Sequence, residues 1–297
     1  MTDRMIESTR MELRTSLEDV IRLFGPEGMI YSRDDDVFLR ELVQNAFDAI
    51  EVRRAGRENR RGTIRVRYTD RPRPVVEVED TGWGMDDYAV REHLAHPLRG
   101  IRRYQAATGS APASLIGRFG VGLLSAFKVS DCIEVETCRE GCDPIAFLIG
   151  IERNGTEGLR IAAFLGEGPP RPVGTKVRVH LDSADPAVSE RARRIAQPTA
   201  ILDALRYYVR HPGPGVEVVF RGPSGREAEI VDQPLVGSGC EPAHRFDRPG
   251  LRGAIALPAA GEASGSFQVC YRGILVKRDY PLLPEEMNGF VGEVDVL

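Results

Sequence analysis

Six segments between residues 63 and 181 have the composition or the apolar–polar alternation of β-strands, and this succession restricts the fold more than any other feature. They are residues 63–69, 74–80, 132–138, 144–152, 158–165 and 175–181. Helical patterns precede them at residues 16–24 and at about 36–54. Helices followed by a run of strands predict an α+β fold in which the helices cover one face of a mostly antiparallel sheet.

Size and composition indicate a folded protein that is too long for one small core and suits one large domain or two ordinary ones. The chain has 297 residues, of which 42% are hydrophobic and 28% charged, and this mixture excludes a wholly disordered chain. Residues 182–198 are polar and contain two prolines, so we expect a domain boundary there. The expected domains are residues 1–185 and a second, smaller β-rich unit at residues 186–297.

The net charge limits the binding partners that we expect for the protein, and the cysteine content limits its cellular compartment. The net charge is −4, which argues against nucleic acid as the main partner, and the basic loop at residues 53–61 is either a solvated helix end or a nucleic-acid patch. No apolar run reaches the ~18–20 residues that cross a bilayer, so no membrane is expected. The five cysteines form no Cys-x-x-Cys pair. We therefore expect reduced thiols in the cytoplasm, without a disulfide framework or a zinc site.

The first segment that carries candidate functional residues is the helical run at residues 39–50, LRELVQNAFDAI. At about 100° per residue, Glu41, Asn45 and Asp48 share one narrow stripe of the helix, opposite apolar residues that can pack. Such a stripe can simply face solvent, or it can offer oxygen atoms to a ligand.

The second segment is VEDTGWGM at residues 78–85, where a strand ends at Asp80 and glycines flank Trp83. Glycines permit positive φ and a close approach of a ligand to the main chain. A carboxylate at the end of a strand can accept a hydrogen bond from a buried donor such as an exocyclic amine. A plain tight turn is the alternative interpretation.

The third segment is LIGRFGVGLLSAF at residues 115–127, in which three glycines precede an apolar helical run. A glycine-rich loop that leads into a helix N-terminus favours an anion such as phosphate, although no Walker A Gly-Lys-Ser/Thr follows. The polar stretch before it, residues 86–115, has the length of a functional cover or of a disordered segment.

In this order and spacing, the three segments resemble the ATP-binding motifs of the gyrase, heat-shock chaperone, histidine kinase and MutL (GHKL) superfamily. The matching stretches are ELVQNAFDA, DTGWGM and GRFGVG. Within it, IGRFGVGLLSAF, the opening SLEDVIRLF and the later PVGTKVRVHL are similar to the ninety-kilodalton heat-shock chaperone family, including its bacterial high-temperature protein G branch. Residues 266–297 are similar to the start of that family's middle domain.

The resemblance implies a two-layer α/β sandwich of the Bergerat (GHKL ATPase) type, followed by part of a second, smaller α/β domain. It also implies an ATP–Mg²⁺ site in which Glu41 orients or deprotonates the attacking water, Asn45 ligates Mg²⁺ and Asp80 accepts the adenine N6 amine. The other nucleotide-binding residues that it implies are Asp48, Ala49, Gly82, Gly84, Met85, Arg99, Arg118, Phe119, Gly120, Val121, Gly122 and Thr175. Residues 86–122 would form a lid over the phosphates.

Two departures from the family's pattern bear on turnover. The lid reads HLAHPLR at residues 93–99 where the family commonly has Asn-Leu-Gly-Thr-Ile-Ala-Lys, which places Arg99 at the phosphate-directed lysine and introduces Pro97. The chain reaches Leu297 before the middle-domain arginine that the family directs at the γ-phosphate and before its dimerisation region. We therefore expect slow hydrolysis, a monomeric state for this chain and a homodimer for a full-length protein.

The resemblance implies an ATP-dependent molecular chaperone-like protein of the stress response, in which slow ATP hydrolysis drives lid closure and conformational switching. Its partners would be ATP or ADP and unfolded client proteins. The altered lid supports an alternative, a nucleotide-sensing scaffold that binds ATP or ADP without useful hydrolysis. A histidine kinase is disfavoured because no phosphoacceptor histidine on a dimerisation helix is visible, and the acidic balance disfavours a DNA-remodelling relative.

Overall fold

The computed structural model describes residues 9–12, 35–55, 61–95, 122–154, 158–236, 243–257, 267–277 and 291–297. The chain divides into two compact units. The first unit contains the residues up to Leu202 together with Gly215–Glu229, and the second contains Asp203–Pro214 and Ile230–Leu297. Each unit is built on a sheet of its own.

The helices of the described residues are α1 (Val37–Arg54), α2 (Asp87–Ala95), a 3₁₀ helix (Gly122–Lys128), α3 (Pro186–Ile195) and α4 (Pro198–Tyr208). Asp185 is the N-cap of α3, and its side chain accepts hydrogen bonds from the N–H groups of Ala187 and Val188. This is the pattern of a helix N-cap followed by proline in the first turn. The polar segment in which we expected the domain boundary therefore contains a capped helix.

The first sheet has nine strands, β1 (Thr9–Glu12), β2 (Gly62–Thr69), β3 (Val75–Asp80), β4 (Cys132–Cys138), β5 (Ile145–Asn154), β6 (Gly158–Glu167), β7 (Gly174–His180), β8 (Val216–Arg221) and β9 (Glu227–Glu229). Their order across the sheet is β1-β6-β5-β4-β7-β3-β2-β8-β9. Neighbours are antiparallel except β2 and β8, which run parallel. The six predicted strands are all present, in the mostly antiparallel sheet that their pattern indicated.

Helix α1 covers one face of this sheet. It packs on β2, β3, β7 and the 3₁₀ helix and buries an apolar stripe that includes Phe38, Leu42 and Phe47. The strands beneath it alternate, and in β2 Ile64 and Val66 are buried. The result is a two-layer α/β sandwich, which is the arrangement of the Bergerat type.

The opposite face of the same strands carries two rows of charges that alternate in sign. The rows are Arg67, Glu77, Arg178 and Glu134, and beside them Arg65, Glu79, Lys176 and Glu136. Glu77 forms ion pairs at 2.9 Å with both Arg67 and Arg178. An antiparallel sheet can expose one face to water, and here that face is stabilised by pairs of opposite charge across neighbouring strands.

The first unit continues past the boundary that composition suggested. β8 pairs with β2 from Gly62 opposite Val216 to Arg67 opposite Arg221, and β9 adds to β8. Residues 215–229 therefore complete the first sheet. In the sequence, α3, α4 and residues 209–214 lie between them and β7, the strand of this sheet that precedes them. Composition is a local signal and carries no information about which remote strand pairs with which.

The second unit contains a five-stranded sheet with the strands β10 (Ala243–Arg248), β11 (Leu251–Ala256), β12 (Phe267–Tyr271), β13 (Ile274–Lys277) and β14 (Val291–Val296). Their order is β10-β11-β14-β12-β13, and only β12 and β14 run parallel. Two fully buried carboxylates, Glu293 and Asp295, lie on β14. Among the described helices, none combines the length and the apolar content that crossing a bilayer requires.

Candidate functional site

A row of polar residues interrupts the buried face of the first sheet where β3, β7 and β4 lie side by side. The register places Asp80 opposite Thr175, and Thr175 opposite Thr137. Asp80 Oδ1 accepts hydrogen bonds from the N–H of Gly82 at 2.7 Å and of Thr175 at 3.3 Å. Thr137 Oγ1 lies 3.1 Å from Thr175 Oγ1 and accepts from the N–H of Met85 at 2.9 Å. The row thus fastens the turn after β3 to the sheet.

The carboxylate of Asp80 is held in an environment that disfavours its charge. The residue is 7% exposed, and this removal from water is the main reason that the pKa of Asp80 rises from 3.8 to about 7. The N–H groups of Gly82 and Thr175 oppose the rise. Because both of these hydrogen bonds end on Oδ1, Oδ2 stays available, within the described part of the chain, to a ligand that brings a donor.

The turn after β3 needs its glycines because the main chain passes close to other atoms. A Cβ on Gly82 would lie 2.5 Å from the Cβ of Ala49, and Trp83 N donates to Ala49 O at 2.9 Å. Gly84 has a φ of +69°, and a Cβ there would lie 2.0 Å from Cys138 O. The turn therefore rests between α1 and the end of β4, where larger residues would displace it.

Two arginines hold this turn, and neither was predicted from the sequence. Arg53 Nη1, from the last turn of α1, donates to Thr81 O at 2.6 Å. Arg139 lies over the ring of Trp83, 5.0 Å from its centroid, and forms an ion pair with Asp86. These polar contacts join residues that are 28 and 53 positions apart. Sequence spacing gives no signal for contacts of that kind.

The acidic–amide stripe of α1 lies against the start of the 3₁₀ helix. A Cβ on Gly122 would lie 2.9 Å from Glu41 Oε2 and 3.5 Å from Asn45 Nδ2. Asn45 is exposed, the Glu41 side chain is 12% exposed and Asp48 is 3% exposed. Arg40 donates to Glu41 Oε1 at 2.7 Å. The structure therefore brings Glu41, Asn45 and Gly122 together, as one end of a site.

Helix α1 joins the two polar ends. Ala49, which contacts the turn after β3, and Glu41, beside Gly122, are separated by about 12 Å along a helix axis that rises 1.5 Å per residue. One end offers a buried hydrogen-bond acceptor, and the other offers carboxylate and amide groups next to a glycine. An elongated ligand fits this arrangement if it carries a donor at one end and an anionic or metal-binding group at the other.

Part of the predicted site lies outside the described residues. These positions are Arg99, Arg118, Phe119, Gly120 and Val121. The predicted lid at residues 86–122 is described only at its two ends, where it includes α2 and the first residue of the 3₁₀ helix. The predicted residues that the structure does place lie along α1, at the end of β3 and the turn after it, at the start of the 3₁₀ helix and at the start of β7.

Comparison with known proteins identifies the family. No family model matches the chain. A chaperone protein HtpG of Azorhizobium caulinodans is 33% identical to it over 97% of its length. The chain belongs to the HtpG family. Other HtpG proteins, of Methylobacterium nodulans and Nitrobacter winogradskyi, are 36% and 31% identical over 74% and 95% of the chain.

The chain spans about half the length of the curated HtpG proteins that it matches. The aligned part is 51% of the Azorhizobium caulinodans HtpG, 37% of the Methylobacterium nodulans HtpG and 42% of the Nitrobacter winogradskyi HtpG. The match therefore establishes the family of this chain, whereas the activity of a whole HtpG protein needs a separate argument.

Proposed function

We propose that the first unit binds ATP with Mg²⁺ and hydrolyses it slowly, and that this cycle drives the conformational switch of a molecular chaperone. The observation that supports this most is the buried carboxylate of Asp80, which keeps one oxygen for a ligand at the base of a glycine turn. The name of the relatives, chaperone protein HtpG, supports the chaperone part of the proposal.

At the buried end, Asp80 Oδ2 would accept a hydrogen bond from the N6 amine of adenine. Guanine carries a carbonyl oxygen at the corresponding ring position, and this oxygen would face the carboxylate without a donor between them. The ring would lie among Ala49, Gly82, Gly84, Met85 and Thr175. The site would therefore select adenine nucleotides over guanine nucleotides.

At the other end, the residues present suit a phosphate group that carries Mg²⁺. Mg²⁺ prefers hard oxygen ligands and keeps phosphate oxygens and waters around it. The exposed amide of Asn45 would supply one such oxygen, and Asp48 on the same stripe would act through water. Bound Mg²⁺ would neutralise phosphate charge, and the β- and γ-phosphates would be contacted by Arg99, Arg118, Phe119, Gly120, Val121 and Gly122.

Glu41 would orient the attacking water and accept its proton. Its Oε1 is fixed by Arg40 at 2.7 Å, and its Oε2 lies on the side of Gly122, where the phosphates would enter. A positioned general base contributes about 10²–10⁴-fold to a rate. Turnover would still be slow, because the lid must close before hydrolysis. Pro97, which the family's usual lid sequence lacks, would hinder this closure.

For the whole protein, the proposal extends to unfolded client proteins as partners, a cytoplasmic location and a homodimeric full-length form. Residues 1–185, extended by β8 and β9, would act as the nucleotide-binding domain. The second unit would act as part of a middle-type domain that responds to lid closure.

Isothermal titration calorimetry tests the recognition of the base. With Mg²⁺ present, wild-type protein should bind ATP and ADP, and should bind GTP at least about tenfold more weakly. Asp80→Asn should also weaken ATP binding at least about tenfold, because its NH₂ group would face the adenine amine. Asp70→Asn, at an exposed aspartate directly after β2, is the matched control and should bind ATP like the wild type. Unchanged ATP affinity in Asp80→Asn would contradict the proposal.

A turnover assay separates hydrolysis from binding. Glu41→Gln keeps the shape of the side chain, so it should retain ATP affinity and lose about 10²-fold or more of the hydrolysis rate. Unaltered hydrolysis in this variant would remove Glu41 from the role of base. Tight binding without measurable hydrolysis by the wild type would favour the nucleotide-sensing scaffold.

A further inference from the structure

The second unit buries an imidazole, a thiol and a carboxylate in mutual contact. His211 Nε2 lies 3.0 Å, and Cys270 Sγ 3.1 Å, from the same oxygen, Glu293 Oε1. The three groups have ligand atoms that all lie within 4.8 Å of one another, and the residues are 3%, 0% and 0% exposed. Imidazole nitrogen, thiolate sulfur and carboxylate oxygen are the groups with which proteins bind Zn²⁺.

A fourth polar group on the same face lacks a hydrogen-bond partner within the described residues. Gln268 is opposite Glu293 in the parallel register of β12 and β14, and Cys270 follows two residues later on the same side of its strand. Gln268 is 6% exposed, and its Oε1 is the atom without a partner. A buried carbonyl oxygen in that condition costs about 1–3 kcal/mol. A cation at this face would satisfy it.

The backbone around the cluster is fixed by contacts of its own. The N–H groups of Arg210 and His211 both donate to Gly273 O, at 2.8 Å and 3.0 Å. Gly273 has a φ of +79°, and a Cβ on it would lie 1.7 Å from His211 O. The side chain of Arg210 also donates to both oxygens of Glu293, at 3.3 Å and 2.8 Å. The imidazole and the carboxylate are therefore oriented by neighbours that would form the outer shell of an ion.

We propose that this cluster is a Zn²⁺ site whose ligands are His211 Nε2, Cys270 Sγ, Glu293 Oε1 and Gln268 Oε1. Tetrahedral Zn²⁺ with bonds of about 2.0–2.3 Å separates its ligand atoms by about 3.3–3.7 Å. The imidazole and the thiol would therefore move only a few tenths of an ångström away from the carboxylate. The site belongs to the second unit and does not depend on the proposed nucleotide binding.

Protons and charges balance when the ion binds. The thiol proton leaves to solvent, and the proton of a neutral imidazole moves from Nε2 to Nδ1. Asp232 Oδ1 lies 4.0 Å from His211 Nδ1, so a small movement lets it accept a hydrogen bond from that nitrogen. The thiolate of Cys270 and the carboxylate of Glu293 neutralise the two charges of Zn²⁺, while Asp232 offsets the guanidinium of Arg210.

Titration of the metal-free full chain with Co²⁺ tests this site. Thiolate-bound Co²⁺ gives a charge-transfer band in the near ultraviolet, and one equivalent of Zn²⁺ should abolish the band by displacement. Cys270→Ser should remove the band and weaken Zn²⁺ binding by about 100-fold or more, exceeding the usual effect of outer-shell changes. Cys138→Ser, at a buried cysteine of the first unit, is the matched control and should keep the charge-transfer band and the wild-type Zn²⁺ affinity.

X-ray absorption of wild-type protein loaded with one equivalent of Zn²⁺ gives an answer that does not depend on the folding of a variant. The expected shell is one sulfur at about 2.3 Å and three nitrogen or oxygen atoms at about 2.0–2.2 Å. Three results would each overturn the proposal: no binding by the wild type, a shell without sulfur, or an unchanged band in Cys270→Ser.

Discussion

Asp80 shows how a single residue that is a candidate for ligand binding can lower the stability of the folded protein. Its carboxylate lies in the buried face of a sheet, and two backbone N–H groups only partly offset the loss of hydration. An asparagine would suit the ligand-free protein better, because it carries no charge to desolvate. Its NH₂ group, however, could not accept a hydrogen bond from a ligand. Stability and ligand recognition therefore favour different residues at this position.

We expect Asp80→Asn to stabilise the ligand-free protein increasingly as the pH rises. The pKa of Asp80 is about 7 in the folded protein against 3.8 for an ordinary aspartate, so the folded state binds the proton more tightly and wild-type stability falls between these values as pH rises. The difference in free energy of unfolding should grow by about 2–3 kcal/mol from about pH 5 to about pH 8. Urea denaturation of both proteins measures it. A difference that is constant with pH would contradict the burial-driven shift.

Gly84 and Gly141 form a matched pair for testing the turn after β3. Both have positive φ, +69° and +79°, but nothing lies within 4 Å of a Cβ on Gly141. Gly141→Ala should therefore cost only about 1–2 kcal/mol, from the backbone. Gly84→Ala should cost more than about 3 kcal/mol and weaken ATP binding, because its Cβ would meet Cys138 O and move the turn. Thermal unfolding and calorimetry measure both, and equal losses would show that the close contact has no effect.

At the scale of elements, the two faces of the first sheet are specified by different forces. Among the described residues, the buried face is largely apolar but is interrupted by the row that includes Asp80 and Thr175. The outer face carries charges that alternate between strands, such as Arg67, Glu77 and Arg178. A slip of one residue in register would turn these charges toward the core. The charged rows therefore contribute to the choice of register as well as to stability.

Arg178 lies among three carboxylates, those of Glu77, Glu134 and Glu136. Arg178→Gln removes their shared cation and should lower the free energy of unfolding by about 1–2 kcal/mol at low salt, with a smaller loss at high salt. Arg73→Gln, which removes an exposed ion pair, is the control and should change stability by less than about 0.5 kcal/mol. Urea denaturation at two salt concentrations measures these effects. A loss that salt does not reduce would argue against a screened charge interaction.

Local patterns predicted the elements of the first sheet better than their partners. Strands β2 to β7 lie within two residues of their predicted positions, because a half-buried strand imposes a period of two on its own sequence. The stripe of α1 was predictable for the same reason, since a helix that packs on one side repeats every 3.6 residues. The pairing of β8 with β2 could not be predicted in this way, because the two strands lie about 150 residues apart in the sequence and local patterns do not specify remote partners.

The candidate sites also differ in how far the sequence predicted them. Glu41, Asn45 and Asp80 lie in compact motifs, so their candidacy could be argued from the sequence. The contact of Arg139 with Trp83 and the cluster around Glu293 gather residues from separate elements, without regular spacing. The absence of Cys-x-x-Cys pairs led us to expect no zinc site, but it says nothing about a single cysteine that meets an imidazole through tertiary folding.

At the scale of the whole molecule, each unit contains its own set of buried polar residues. The described part of the proposed nucleotide site lies in the first unit. In the second unit, the fully buried Asp295 accepts hydrogen bonds from Arg252 at 2.8 Å and from Gly273 N at 2.8 Å. We therefore expect changes in one set to act mainly on the unit that contains it.

Differential scanning calorimetry tests this expectation. ATP with Mg²⁺ at about 100 times its dissociation constant should stabilise the first unit by about 2.7 kcal/mol and raise the midpoint of its transition. Asp295→Asn should lower the midpoint of the other transition, with a loss of about 1–3 kcal/mol. In the control Asp80→Asn, the same ATP concentration is at most about 10 times the weakened dissociation constant, so it should stabilise the first unit by no more than about 1.4 kcal/mol. A single transition that responds to both changes would show that the units unfold together.

The parallel pairing of β8 with β2 has a consequence for synthesis of the protein. A nascent chain that has emerged only to about residue 200 lacks β8, and the edge of Gly62–Thr69 then presents unpaired N–H and C=O groups, a template for wrong association. The first sheet cannot be completed until residues 216–229 have been synthesised. By then Asp203–Pro214, which belong to the second unit, have already been synthesised. A gene truncated at the domain boundary expected from composition, residues 182–198, would therefore yield an aggregation-prone fragment rather than an independently folded domain.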